Sequence, residues 1–370
     1  MSSSPSRRTA LALLAAAGGA LLGATPARAS APATAPFGRY GSPARRLTPL
    51  TRYVDPLGRG DHATVQAAVD AATGPGHTLV LAPGVHHGTV HVPADRTDLT
   101  LLGAGGDPRR TVISHARAAG TPRPDGGTYG TSGSATVTLA AAGFTARDVT
   151  FANTWLRADH PGTTGTQAVA VKVQGDRSAF HRCRFLGHQD TLYADSSSLA
   201  AEARQYFLDC YVEGDVDFVF GRATAVWDRC HFHTLDRGDL AAAPYGFVFA
   251  PSTARARIHG YLATGCRITS AAPDGHYKLA RPWVPSSDPT AWPGLVVRET
   301  HLGPGIDADA PYGTMSAGHP WQKQRFAEYR NTGPGARVRV PENRPQLSAA
   351  QARLHTPDAY LGAWRPGRSD

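Results

Sequence analysis

The sequence predicts an all-β solenoid in which short strands stack as successive coils. A helical period of apolar residues is confined to one short stretch and vanishes after residue 72. An alternating strand pattern then recurs at unequal intervals from Phe144 onward. The 40 glycines and 29 prolines among 370 residues supply the turns that many short strands need. An apolar fraction of 41% with 18% charged residues suits a globular protein with a sizeable core.

Residues 1–29 read as an export signal. Arg7 and Arg8 precede an apolar run at 10–25, Ala27-Arg28-Ala29 has the small-x-small form of a cleavage site, and the paired arginines suggest the twin-arginine route. The run is glycine- and alanine-rich and short for a membrane span. A secreted, extracellular protein with no membrane partner is therefore expected. Setting aside Arg7, Arg8 and Arg28 lowers the formal charge of +9 by three, to +6. A basic exported protein suits an anionic partner. Arginine and lysine are scattered, with no basic helix or aromatic-basic motif, so nucleic acid fits poorly and an acidic polysaccharide fits better. Four cysteines in an oxidising destination allow a disulfide. No CxxC, HxxxH or EF-hand spacing occurs, so no metal is expected, and His86-His87 reads as a surface turn.

Residues 30–51, rich in alanine, proline and arginine, are expected to form a loose arm, and 52–370 a single domain. Residues 61–72 read as a short amphipathic helix with Val65, Ala68, Val69 and Ala72 on one side. Strand-like runs follow at 78–81, 89–92, 99–102, 111–114 and 135–139. The repeat then aligns Val149, Cys183, Cys210, Cys230, Cys266 and Thr300, each two residues before an apolar or aromatic residue. In a stack of coils these six form one interior column. Rungs about 4.8 Å apart would let any neighbouring pair of cysteines bond.

The same stacking pairs two further segments. Gly187-His188-Gln189-Asp190-Thr191-Leu192-Tyr193 follows one repeat and Asp215-Val216-Asp217-Phe218-Val219-Phe220-Gly221 follows the next. Asp190 and Asp217 then come from neighbouring rungs on one outer face, with Gln167 one rung earlier. Two carboxylates in unlike surroundings suit acid/base or nucleophilic chemistry, where one is protonated while the other is ionised. Strict alternation places Phe220 on the face of Phe218, away from Asp217, unless the chain bends at Gly221.

With those residues assembled, the sequence resembles the pectin methylesterases (pectinesterases, carbohydrate esterase family 8), bacterial type. The matching stretches are Gly130-Thr131-Ser132-Gly133-Ser134, Gln167-Ala168-Val169-Ala170, Gly187 to Tyr193, Asp217 to Gly221 and Leu279-Ala280-Arg281-Pro282-Trp283. The resemblance runs from about Tyr53 to Trp364 and implies a right-handed parallel β-helix, hydrolysis of galacturonate methyl esters, no cofactor, and pectin as the partner of a monomer. It implies Asp217 as nucleophile and Asp190 as general acid, then base. Gln189 and Gln167 are the implied oxyanion donors, Arg281 the group that holds and ionises Asp217, and Trp283 a support for the sugar. Thr131, Tyr193, Phe220, Arg237 and Met315 match positions that line the substrate groove. Three features depart from the family: His188 where tyrosine is usual, Ala280 where glycine is usual, and a longer stretch at 194–204. Bacterial relatives carry a bridge at the positions of Cys210 and Cys230, which also share the shortest interval. That pairing is expected, although distance alone equally permits Cys183–Cys210 or Cys230–Cys266.

The residue types fit the chemistry. A guanidinium beside Asp217 is expected to lower its pKa, and partial desolvation beside a second negative charge to raise that of Asp190. Two glutamine amides can stabilise an oxyanion without a full charge that would quench the nucleophile. A glycoside hydrolase on the same solenoid would use two acids but leaves the glutamines and the arginine unexplained. A non-catalytic polysaccharide binder leaves the acids themselves unexplained, and a calcium-dependent lyase lacks its acidic cluster.

Overall fold

The computed structural model describes residues 49–366. The export signal at 1–29 and the arm up to residue 48 lie outside the described residues, and the first strand, Thr51–Val54, begins at the last residue assigned to the arm. Among the described residues three all-parallel sheets of ten, seven and eight strands lie along the coils, and seven complete coils each give one strand to each sheet. This is an all-β parallel β-helix. One coil runs through Ser178–His181, Arg184–Leu186 and Leu192–Ala194. The next runs through Arg204–Leu208, Tyr211–Gly214 and Val219–Gly221. They pair in register, Phe180 with Phe207, Phe185 with Val212 and Leu192 with Val219.

In-register stacking builds the core from columns of like side chains. Phe180 and Phe207 stack at 4.9 Å, and Phe207 and Trp227 at 5.2 Å, all fully buried between the sheets. The predicted interior column is present, with Val149, Cys183, Cys210, Cys230, Cys266 and Thr300 all buried. The residue just before each of them turns the chain from the ten-stranded to the eight-stranded sheet in a left-handed conformation. These are Asp148, Arg182, Asp209, Arg229, Gly265 and Glu299, with φ between 50° and 61°. For a non-glycine residue that conformation costs about 1 kcal/mol, which the ladders on both sides of the turn impose.

The expected Cys210–Cys230 disulfide is not formed, and all four cysteines are free, buried thiols. In an in-register column the side chains leave the backbone in parallel, so their Cβ atoms keep roughly the rung spacing of about 4.8 Å, wider than the ~3.8 Å a disulfide prefers. Each thiol instead points at a carbonyl. Cys210 Sγ donates to Phe180 O at 3.4 Å, Cys230 Sγ to Phe207 O at 3.3 Å and Cys266 Sγ to Trp227 O at 3.3 Å.

The helix forms over Val65–Ala71, four residues later than predicted. Thr64, in extended conformation, caps it by accepting from Ala67 N, while the Asp61 carboxylate accepts from Tyr53 N at 2.9 Å. Val65, Ala68, Val69 and Ala72 are buried as expected. His86 is not in a surface turn. It lies in the strand Gly84–His87, buried, with its ring nitrogen 2.9 Å from Ala82 O, and burial lowers its pKa. The sequence reading also missed two short helices, Ala349–Ala352 and Pro357–Leu361. Tyr360 and Leu361 cover Tyr206, Val226, Leu262 and Val296 on the outer face of the ten-stranded sheet. The signals were present: a Ser348/Gln351 capping box, and Thr356 as cap before Pro357.

Phe207 joins two ring stacks in the sealed core, so Phe207→Ala is expected to cost about 3–5 kcal/mol, read as a lower midpoint in denaturant unfolding.

Candidate active site

Between the eight-stranded and seven-stranded sheets the chain turns again, and here the residue in left-handed conformation is Asp190 on one rung and Asp217 on the next, with φ of 65° and 50°. They are register equivalents. Asp190 N donates to Val216 O at 3.0 Å, and Leu192 N to Phe218 O at 2.8 Å. Gln167 precedes Ala168, whose N–H donates to Gln189 O at 3.0 Å, so Gln167, Gln189–Asp190 and Asp217 occupy three consecutive rungs. The dyad inferred from the repeat is thus assembled by the backbone ladder.

Arg281 reaches Asp217 from the turn after the strand Tyr277–Ala280, two rungs further on. Its Nε donates to Asp217 Oδ1 at 2.8 Å and its Nη2 to Oδ2 at 2.6 Å, a bidentate pair. The guanidinium lies 4.2 Å from the ring centre of Phe247, which fixes its plane. Asp190 is equally buried, and among the described residues no such cation is bonded to it.

The electrostatics follow from this asymmetry. Burial pushes Asp190 well above the ordinary carboxylate value, the charge of Asp217 adds to the rise, and Arg281 opposes it only at a distance. Burial also raises Asp217, against the two hydrogen bonds from Arg281 that pull it down. The expectation that Arg281 would leave Asp217 with a lowered pKa is corrected here, because burial outweighs the ion pair. Asp190 is raised as expected, and the hydrogen bonds from Arg281 that oppose the rise at Asp217 are absent from its causes.

Gln189 has its Oε1 tied up, accepting from Thr166 Oγ1 at 2.6 Å, which turns its NH₂ outward as a donor. The aromatic residues converge: Tyr193 and Phe220 stack at 4.1 Å, and Trp283 lies 6.0 Å and 5.5 Å from them. Phe220 therefore faces the groove with Tyr193 and not the core with Phe218. The bend that achieves this lies at Asp217, before Phe218, so Phe218 tucks inward ahead of the strand and alternation starts afresh at Val219. Gly221 comes too late to redirect Phe220, and it serves another purpose. Its φ is 127°, and a Cβ there would lie 2.2 Å from Ala194 O.

The remaining predicted residues are on flanking loops. Thr131 lies in the helical turn Gly130–Gly133. Met315 is exposed in the loop after Gly313, which packs on Phe247. Arg237 is buried, its guanidinium held by Asp239 at 2.7 and 2.8 Å, by Tyr245 O at 3.5 Å and by Asp215 at 4.0 Å. Sequence reasoning missed the cluster around Asp215, two residues before Asp217. Its carboxylate takes Nδ1 of His188 at 3.2 Å and Nη1 of Arg157 at 3.3 Å. Burial alone would raise Asp215, but His188, Arg157 and Arg237 outweigh it and hold the carboxyl well below the ordinary range. The spacing to Asp217 could have singled out Asp215; nothing local marks Arg157.

Two carboxylates stand on adjacent rungs, one bonded to a guanidinium and the other raised well above the ordinary carboxylate value, beside an amide and an aromatic cluster on a parallel β-helix. Comparison with known proteins gives the family. The pectinesterase family model matches residues 53–363, and this chain belongs to the pectinesterase family. A pectinesterase of Ralstonia solanacearum is 31% identical over 314 residues, covering 75% of this chain and 78% of that protein. The pectin methylesterase of Erwinia chrysanthemi superposes with a TM-score of 0.75 at 29% identity, covering 86% of this chain and 98% of that one. A pectin methylesterase in complex with a hexasaccharide superposes at 0.74 and 28% identity, covering 85% and 98%. Among the described residues no helix is long and apolar enough to cross a membrane.

Asp190 holds its proton to higher pH folded than unfolded, so it costs stability increasingly as pH rises from the ordinary carboxylate value through the raised folded one. Asparagine tolerates the left-handed conformation. Asp190→Asn is therefore expected to be more stable than wild type at neutral pH by ~1–2 kcal/mol, with the gain shrinking at acid pH in thermal melts.

Proposed function

We infer that this chain is a pectinesterase that hydrolyses the galacturonate methyl esters of pectin, with Asp217 as nucleophile and Asp190 as general acid and base. The observation that carries the reading is the asymmetry of the dyad: Asp217 is held by Arg281 through two hydrogen bonds, while Asp190, one rung away, has no cation bonded to it. Asp217 is thereby oriented and ionised first, and Asp190 keeps the proton that a leaving methoxide needs.

An oxygen of Asp217 attacks the ester carbonyl carbon, and the carbonyl oxygen gathers negative charge. The amides of Gln189 and Gln167 donate to it, the former pre-aimed by Thr166. Collapse breaks the bond to methoxide, which takes its proton from Asp190 and leaves as methanol. Asp190, now ionised, removes a proton from water, whose oxygen attacks the acyl-enzyme. Collapse frees the Asp217 carboxylate and releases the galacturonic acid, which gives its proton to solvent, while the proton taken from water remains on Asp190. Tyr193, Phe220 and Trp283 offer an apolar floor for the sugar rings, with Thr131, Arg237 and Met315 at its margins. We further propose that the protein is secreted through its export signal, acts on extracellular pectin as a monomer, and is one domain from residue 52 to 370.

Methanol release from methyl-esterified pectin tests the reaction, and new reducing ends in its place would show glycosidic cleavage. Asp217→Ala and Asp190→Ala are each expected to lower kcat on the order of 10⁴-fold with unchanged circular dichroism, and wild-type-like activity in either sinks the mechanism. Arg281→Lys is expected to recover little, because an ammonium lacks the planar fork that meets both carboxylate oxygens. In wild type, kcat/KM is expected to rise with pH as Asp217 ionises and to fall as Asp190 does. Both limbs should lie above the ordinary carboxylate range.

A further inference from the structure

Asp215 is fully buried, yet no step of the proposed hydrolysis uses it. It stands two residues before Asp217, and its carboxylate gathers side chains from three other parts of the chain. Nδ1 of His188 lies 3.2 Å from Oδ2, and an ionised carboxylate only accepts, so that nitrogen carries the hydrogen. Arg157 Nη1 donates to the same oxygen at 3.3 Å, and Arg237 Nη1 lies 4.0 Å away. The other oxygen, Oδ1, accepts from Val216 N at 2.6 Å. On the following rung Gly246 lets the chain close over this point, since a Cβ there would lie 2.1 Å from Asp215 O.

These partners lead directly to the reacting groups. His188 precedes Gln189 and Asp190, and its carbonyl accepts from Asp215 N at 3.1 Å. Side chain and backbone thus join the two dyad turns twice. Arg157 opens the helical turn Arg157–Asp159, and the loop beyond it ends at Thr166, whose hydroxyl holds Gln189 at 2.6 Å. Gln189 is therefore gripped from both sides by groups that Asp215 anchors. Arg237 comes from the loop after the strand His231–Thr234.

Charge adds to the tethering. The charged and titratable groups acting with Asp215 are Arg157, Arg237, His188, Asp190, Asp217 and Tyr277. Asp239 is bonded to Arg237, and Arg281 is bonded to Asp217. Burial is the larger influence on Asp190 and Asp217, and the negative charge of Asp215 acts in the same direction on both. Asp215 itself is no acid or nucleophile: it is sealed from solvent, and its cage keeps it ionised against the pull of burial.

We propose that Asp215 is a positioning residue for the hydrolysis, locking the turns of Asp190 and Asp217 to the loop that aims Gln189 and supplying a fixed negative charge beside the dyad. This rests on the reading of Asp190 and Asp217 as the reacting pair.

Asp215→Asn keeps the shape and removes the charge, whereas Arg157→Gln removes one cation from the cage. The test is kcat/KM for methanol release from methyl-esterified pectin, measured against pH with the full chain. In Asp215→Asn both limbs are expected to move to lower pH by about one unit, because a repelling charge is gone and Arg157 and Arg237 are left unbalanced. In Arg157→Gln both limbs should move the other way by a smaller amount, and Arg157→Lys, which keeps the charge, should return them. Arg157→Gln is also expected to lose about tenfold in kcat with KM little altered, since the loop that aims Gln189 is untethered. A merely structural Asp215 would lower the melting temperature and leave both limbs in place. That result, or limbs moving the same way in the two variants, overturns the assignment while methanol release by wild type stands. If Asp215→Asn does not fold, Arg157→Gln decides alone, because its side chain is 26% exposed, and unmoved limbs there overturn the assignment. Absence of methanol release from wild type overturns the ester-hydrolase reading and this role with it.

Discussion

Every feature of the site depends on parallel strands stacked in register at a spacing of about 4.8 Å. That constraint brings residues far apart in the chain to adjacent rungs, Asp190 beside Asp217 and both near Arg281. It also gives the core its columns of like side chains, from the Phe180–Phe207–Trp227 stack to the four thiols. Because equivalent turns recur on each rung, the left-handed residues before the interior column and the left-handed aspartates of the dyad are two uses of one device. The strain at Asp190 and Asp217 is held by ladders on either side, and it aims both carboxylates out of the sheet.

Stacking like with like has an electrostatic consequence. Two buried carboxylates on neighbouring rungs would repel, and a third, Asp215, lies two residues away. Cations are therefore distributed with care: Arg281 on Asp217, and His188, Arg157 and Arg237 around Asp215. Asp190 is left without one. Burial and the charge of Asp217 therefore raise Asp190 well above the ordinary carboxylate value. His188, beside Gln189, is accommodated by its pairing with Asp215.

The groove floor obeys the same geometry. Tyr193 and Phe220 stack because Leu192 and Val219 are in register, and Trp283 joins them from the strand end that also presents Arg281. Asp195 lies in the longer 194–204 stretch and anchors Arg222.

The sequence by itself determined the solenoid, because strand alternation and the spacing of the cysteines repeat along the chain and are local patterns. It also determined the two aspartates and Gln189, since a period that aligns Cys183 with Cys210 aligns the segments after them. The face of Phe220 was not legible. It depends on a backbone bend at Asp217, and alternation carries no information across a left-handed residue. The state of the cysteines turned on the direction in which Sγ points, and spacing says nothing of direction. Only the tertiary structure decided the partners of Asp215 and the upward shift of Asp217. Each of these is set by burial and by contacts across loops of unequal length, which leave no periodic trace in the sequence.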